Sequence, residues 1–233
     1  RNVGSSKNSH LFCRTSLILL NSQGGNMRTL FQVTLTMLVA FGFVSQAKAG
    51  LLLEPSAGIA NADVSYTYTG IYALAAPNDY KNTMTGAVAF GARVGYSFMV
   101  PFIALDYQMV SGKGKVDPDY DPTAEKNKVN QTAIYVVLGA DFPFGLRTWV
   151  GYGFSDTLKL KDSSAETTLT GKSLKLGIGY KVMPHLSFNF EYFASDYTDL
   201  KNPALGKVKV SDIYSKLAAT GYILSVSVPF DIL

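Results

Sequence analysis

From residue 50 onward, apolar side chains recur at every second position in eight separate segments. The clearest rows are Val88 to Phe98, Ile103 to Met109, Ile134 to Phe142, Thr148 to Phe154, Leu174 to Val182, Leu186 to Ala194 and Tyr222 to Phe230, with a weaker first row from Leu53 to Ile59. A period of two puts these residues on one face of a β-strand, because successive side chains point to opposite faces. Each row is close to the ~9–11 residues that a tilted membrane strand needs. No helical alternative competes: the longest unbroken apolar run near residues 30–44, Met37 to Val44, falls far short of the ~18–20 residues of a membrane helix.

The connections alternate in length. Tight turns are predicted at Met99-Val100-Pro101, Pro143-Phe144-Gly145 and Met183-Pro184-His185, so the hairpin repeats with prolines at 101, 143 and 184. Between them lie long polar stretches at about 61–83, 112–129, 158–169 and 196–212. Short turns at one end and long loops at the other are the asymmetry of a barrel that crosses a membrane. A soluble antiparallel sandwich has no reason to segregate its loops this way.

The opposite face of the same strands carries small residues and eight charges: Glu54, Arg93, Asp106, Asp141, Arg147, Lys175, Lys181 and Glu191. Facing lipid, each midplane Arg or Lys would cost ~2–4 kcal/mol. A few such costs would exhaust the ~5–15 kcal/mol that stabilise a whole domain. The charged face must therefore point inward and form a lumen charge network. The outward face presents Phe90, Tyr96, Phe98, Tyr107, Phe142, Tyr152, Phe154, Tyr180, Phe188, Phe190, Tyr192, Tyr222 and Phe230 to lipid. Backbone groups in lipid must all be paired, so the eight strands must close. The predicted fold is all-β: an eight-stranded antiparallel up-and-down transmembrane β-barrel with short periplasmic turns and long extracellular loops.

The chain has 233 residues and a formal net charge of +4, but the surplus sits at one end. Residues 1–49 hold five basic and no acidic residues, leaving 16 basic against all 17 acidic residues in 50–233. The net of −1 there removes any inference of nucleic-acid binding. Met27-Arg28, the apolar stretch to Val44 and Ala47-Lys48-Ala49 together read as a signal peptide over 27–49, cleaved between Ala49 and Gly50. Residues 1–26 read as a mistranslated leader, since Gln23-Gly24-Gly25-Asn26-Met27 can be encoded by a ribosome-binding consensus ahead of a start codon. Residues 50–233 form the barrel domain. The lone Cys13 precludes a disulfide framework, and no Cys/His cluster points to a metal; no cofactor is expected.

The signal peptide, hairpin repeat, lumen charges and final strand Tyr222 to Phe230 resemble the small eight-stranded bacterial outer-membrane barrels of the OmpA transmembrane domain and OmpX type. The resemblance covers 50–233 and is architectural. It implies an integral outer-membrane protein, monomeric, in contact with outer-membrane lipid and lipopolysaccharide, and inserted by the barrel-assembly machinery. Members usually end on an aromatic residue; here Asp231-Ile232-Leu233 follows Phe230.

An eight-stranded barrel is just wide enough for its own side chains. Four acids and four bases in that space read as a balanced plug. The expected function is a non-enzymatic role in envelope structure or surface interaction through the loops. The alternatives are a narrow pore or conduit for ions or small hydrophobic molecules, and a lipid-A-modifying barrel enzyme. The enzyme reading lacks a rim histidine, because the only histidine after residue 49, His185, falls in a short turn. Asp117-Pro118-Asp119-Tyr120-Asp121 has acidic spacing but Pro122 and Lys128 where a calcium loop needs Gly and Glu. Gly112-Lys113-Gly114-Lys115 lacks phosphate-loop spacing. Tyr66 and Tyr68 alternate, which predicts strands that project beyond the membrane.

Overall fold

The computed structural model describes residues 49–68, 80–116, 127–161, 166–203 and 206–232. The stretches read as a leader and as a signal peptide, up to residue 48, the acidic run Asp117 to Asp121 and the centres of the long loops lie outside the described residues. Ten strands follow in chain order: β1 (Ala49–Tyr68), β2 (Tyr80–Phe98), β3 (Pro101–Val116), β4 (Asn127–Asp141), β5 (Leu146–Lys161), β6 (Glu166–Met183), β7 (Leu186–Asn202), β8 (Gly206–Lys209), β9 (Tyr214–Ser227) and β10 (Phe230–Ile232). Every neighbouring pair is antiparallel, and β9 pairs with both β7 and β1, which closes a ring of eight long strands. The short β8 folds back on β7, while β10 continues beyond Pro229 to pair with β1. Closure leaves no sheet edge facing lipid.

The ring strands run 14–20 residues, longer than the apolar rows that revealed them. Most of the ranges read as polar connections are strand: 61–68, 112–116, 158–161 and 196–202 all extend the ladder toward the loop end. The rows measured only the part of each strand that meets lipid. Beyond it the pairing continues with a different pattern.

Near the turn end and middle, the outward side chains are apolar and exposed, as at Leu105, Leu138, Leu176 and Phe188, all above half exposed. The inward ones include the charges. Toward the loop end the arrangement inverts. Asp63, Lys113, Lys128, Lys159 and Lys172 point outward, while Val64, Met84, Val110, Val129, Leu158, Leu169, Leu200 and Leu217 are buried in one interior cluster. The solvent outside a strand decides which face is apolar. Lipid permits a polar interior, whereas water demands an apolar one. The charged interior expected behind the apolar rows therefore belongs to the lipid-facing part, and an apolar core closes the projecting part.

Register shifts occur where the pattern changes. The pairing of β1 with β2 slips between Ala60 and Ala62, and on β5 Phe154 is skipped in the ladder with β4, and Phe154 and Ser155 in the ladder with β6. An extra residue in one strand transfers the following side chains to the other face. Asp156 and Leu158 face inward for this reason, although the parity of Arg147 and Trp149 assigns them outward.

The turn at Met99-Val100 places Met99 at φ 67°, in the left-handed region, with its side chain 62% exposed. A non-glycine residue there costs roughly 1–2 kcal/mol. Met99→Gly removes that cost without loss of a buried contact. It is expected to stabilise the folded barrel by about 1 kcal/mol, after the larger backbone entropy of glycine in the unfolded chain is deducted. Urea unfolding in lipid vesicles reads the shift.

Candidate functional site

Seven of the ring strands supply the interior charges: Glu54 from β1, Arg93 from β2, Asp106 from β3, Asp141 from β4, Arg147 from β5, Lys175 and Lys181 from β6, and Glu191 from β7. All eight meet in one connected network. Lys181 Nζ lies 2.7 Å from Asp141, whose other oxygen accepts from Arg147 Nε at 2.7 Å. Arg147 forks onto both oxygens of Glu54, which also receives the Ser227 hydroxyl at 2.6 Å. Glu54 then connects to Arg93 at 3.3 Å, and Arg93 reaches Asp106 at 2.8 Å and Glu191 at 3.4 Å. Lys175 closes the far side, 2.8 Å from Asp106 and 3.5 Å from Glu191.

Burial grades along this chain of contacts. The Asp141 and Lys181 side chains, nearest the turns, retain 17% and 22% exposure, while those of Arg147 and Lys175 retain none. Forked Arg–carboxylate contacts are the geometry in which a buried charge is best compensated. The network thus spans the lumen from the turn end inward and leaves none of its eight groups without an opposite charge.

Several members were not singled out from sequence. Trp149 donates its indole N–H to Glu191 at 3.0 Å and lies under the Arg93 guanidinium, 4.6 Å from ring centroid to Cζ. Gln108 donates to Glu191 at 2.9 Å. The Tyr135 ring faces Lys175 Nζ at 4.2 Å. The signal for Trp149 was present: it shares the inward parity of Arg147, and its register partner is Gly177. A Cβ on Gly177 would fall within the indole ring, so the glycine makes the space that the ring occupies.

A second polar group sits between the network and the apolar core. Asp156 is fully buried and accepts from Gln131 Nε2 at 3.0 and 3.1 Å and from the Ser195 hydroxyl at 2.6 Å. No basic side chain pairs with it among the described residues. Three donor bonds serve its two oxygens, and they tie β4, β5 and β7 together.

Of the thirteen outward aromatic residues, twelve are exposed on the outer surface, between 40% and 54%. Phe142 differs. Its amide donates to Leu146 O in the turn after β4, and its half-buried ring stacks on Phe144 at 5.6 Å. The alternation in sequence runs one residue past the end of the strand. Phe102, Tyr135, Trp149, Phe193 and Tyr197 form an inner aromatic set. At the loop end, Tyr66, Tyr68 and Tyr214 form a cluster with centroids 4.9–5.9 Å apart. Burial and then the neighbouring Tyr68 push the Tyr214 hydroxyl above its ordinary pKa. His185 lies at the turn end, with Nδ1 3.2 Å from Pro229 O and its ring stacked on Phe230. Among the described residues no three His, Cys, Asp or Glu gather as metal ligands.

Three solved structures are similar to this chain. Neisserial surface protein A is 14% identical, with 78% of this chain and 99% of that chain covered at a TM-score of 0.48. The outer membrane protein OprG from Pseudomonas aeruginosa is 18% identical over 79% and 98%, at 0.47. Ail, the attachment invasion locus protein of Yersinia pestis, is 10% identical over 78% and 99%, at 0.46. No curated protein matches the chain significantly. The sequence model of the outer membrane protein beta-barrel domain matches residues 33–228, and it includes all eight strands of the closed ring. The chain belongs to the outer-membrane β-barrel domain family, and its place is the bacterial outer membrane.

Proposed function

We propose that this protein is a closed, non-enzymatic barrel that serves envelope structure or surface interaction through its loop end. One observation carries the reading: eight interior charges in a single network, six of them buried, cross the lumen, and a packed apolar cluster lies above them. A barrel closed twice is unsuited to passage and well suited to holding a rigid platform above the membrane. The projecting strands keep their outward lysines, threonines and carboxylates in water, where a partner can reach them. In this reading the turn end faces the periplasm, the loop end faces outward, and the barrel is a monomer in contact with lipid and lipopolysaccharide after delivery by the assembly machinery. Cleavage between Ala49 and Gly50 leaves a chain that begins within the first residues of β1.

Protease shaving of intact cells tests the orientation. Trypsin added outside is expected to cut after lysines of the loop end, such as Lys201 or Lys207, and to spare Lys181 beside the turns. Mass spectrometry of the same sample is expected to find Gly50 at the N-terminus. Cleavage after loop-end lysines only in spheroplasts would contradict the outward placement.

A further inference from the structure

Two cavities lie one above the other on the outer face of β7, β9 and β1. The lower, about 580 Å³, is almost wholly apolar; beyond Leu146 of β5 and Tyr180 of β6, its wall includes Ala57, Val226 and Phe188. These three are lateral register partners across the strands. The upper, about 320 Å³, includes Asn61, Tyr222 and Tyr192, which form another such row four positions nearer the loop end. At ~3.3 Å per residue the rows are about 13 Å apart along the strands. The small Ala57 side chain recesses the lower cavity beside aromatic walls. Immediately above Tyr222 the outward surface changes from apolar to polar, which places the upper cavity at the edge of the lipid-facing belt.

The chemistry of the upper cavity is specific. Asn61 is consumed internally: its amide donates to the Tyr222 hydroxyl at 2.8 Å and its oxygen accepts the Gly86 N–H at 2.7 Å. Asp63 is held by Lys81 at 2.9 Å and by the Thr83 hydroxyl at 2.8 Å. Thr85 and Thr220 line the same space, exposed and without a hydrogen bond among the described residues. The cavity therefore offers hydroxyls, tyrosine rings and a neutralised ion pair, and no spare positive charge for a phosphate. An apolar groove with a polar pocket above it at the lipid boundary, whose one carboxylate is already paired, has the polarity order of one amphiphile.

We infer that this face binds a single outer-leaflet glycolipid, with an acyl chain along the Ala57 groove and sugar hydroxyls at Thr85 and Thr220. The inference rests on the outer-membrane barrel reading and adds to it a site and a lipid class. The groove supplies affinity by apolar contact and the pocket supplies selectivity by hydrogen bonding.

Native mass spectrometry tests it on full-length protein refolded in vesicles of equimolar phosphatidylcholine and a diglucosyl diacylglycerol with the same acyl chains. The wild type is expected to leave detergent with one bound glycolipid, preferred over phosphatidylcholine by about tenfold, equivalent to about 1.4 kcal/mol. Ala57→Phe fills the groove and should lower retention of both lipids by a similar factor, while Val136→Phe on the outward face of β4 should leave it unchanged. Thr85→Val with Thr220→Val should abolish the preference and keep a lipid bound. Equal retention by wild type and Ala57→Phe, or equal retention of the two lipids by wild type, would overturn the site. So would a lipid-free species of two chains, which would assign the face to a second copy. Heat-modifiable gel migration is read on every sample: its absence in the wild type overturns the barrel along with the site, and its presence confines a negative result to the site.

Discussion

Replacing Arg93 with methionine is expected to cost the folded barrel about 3–5 kcal/mol, the range measured when one partner of a buried ion pair is removed. Arg93 touches three carboxylates, Glu54, Asp106 and Glu191, and its side chain is 6% exposed. Without it, Glu54 retains Arg147, and Asp106 and Glu191 share only Lys175. The interior then carries one negative charge too many in a place that water reaches poorly. Arg93→Lys should recover part of the loss, because the charge returns but a single ammonium cannot fork onto three acids. Adding Glu191→Gln to Arg93→Met should also recover part, by removing the surplus charge, and a double-mutant cycle measures that coupling. Trp149 is the only tryptophan in the chain and lies against Arg93, so its fluorescence during urea unfolding in vesicles reports stability at the network itself. A loss below about 1 kcal/mol, the scale of an exposed pair, would show that the interior is hydrated well enough to make the network dispensable.

Gly177→Leu is expected to prevent the ring from closing. The first added carbon already falls within the Trp149 indole, and the ring cannot swing aside without losing its bond to Glu191 and its contact with Arg93. Overpacking costs roughly 1–3 kcal/mol where neighbours can shift. Here the neighbours are a closed backbone and a charge network, so the full leucine should leave little protein in the fast-migrating folded form on unheated gels. Trp149→Ala in the same chain vacates the space and is expected to restore much of that form. If Gly177→Leu folds as well as wild type, the indole is not where the structure places it.

The two variants mark how far the sequence could be read. The eight ring strands and the inward set Glu54 to Glu191 follow from parity, because lipid punishes a charged outer face severely and uniformly along Val88 to Phe98 and its counterparts. Ring closure follows from the pairing that lipid demands of every backbone group. The partners within the network do not follow. That Arg147 forks onto Glu54, 93 positions earlier in the chain, depends on shear between strands, which alternation does not encode. The loop-end half was hidden for a different reason. At Phe154-Ser155 and near Gly86 the ladder slips, so a count from Arg147 or Val88 assigns the wrong face to Asp156 and Met84. Lys113, Lys128 and Lys159 looked like loop residues, but they are the water-facing side of continuing strands whose other side is Val110, Val129 and Leu158. A polar residue at every second position reads as a loop when its apolar alternates are few and small, as Ala60 and Ala62 are.

Planar-bilayer recording of refolded residues 50–233 tests the central claim most directly. The barrel closed by the Arg93–Glu54–Arg147 network and the Leu158 cluster is predicted to add no current steps to a bilayer across the physiological voltage range, although gel migration confirms insertion. Discrete, reproducible conductance steps from the wild-type barrel would contradict it and assign the lumen to transport.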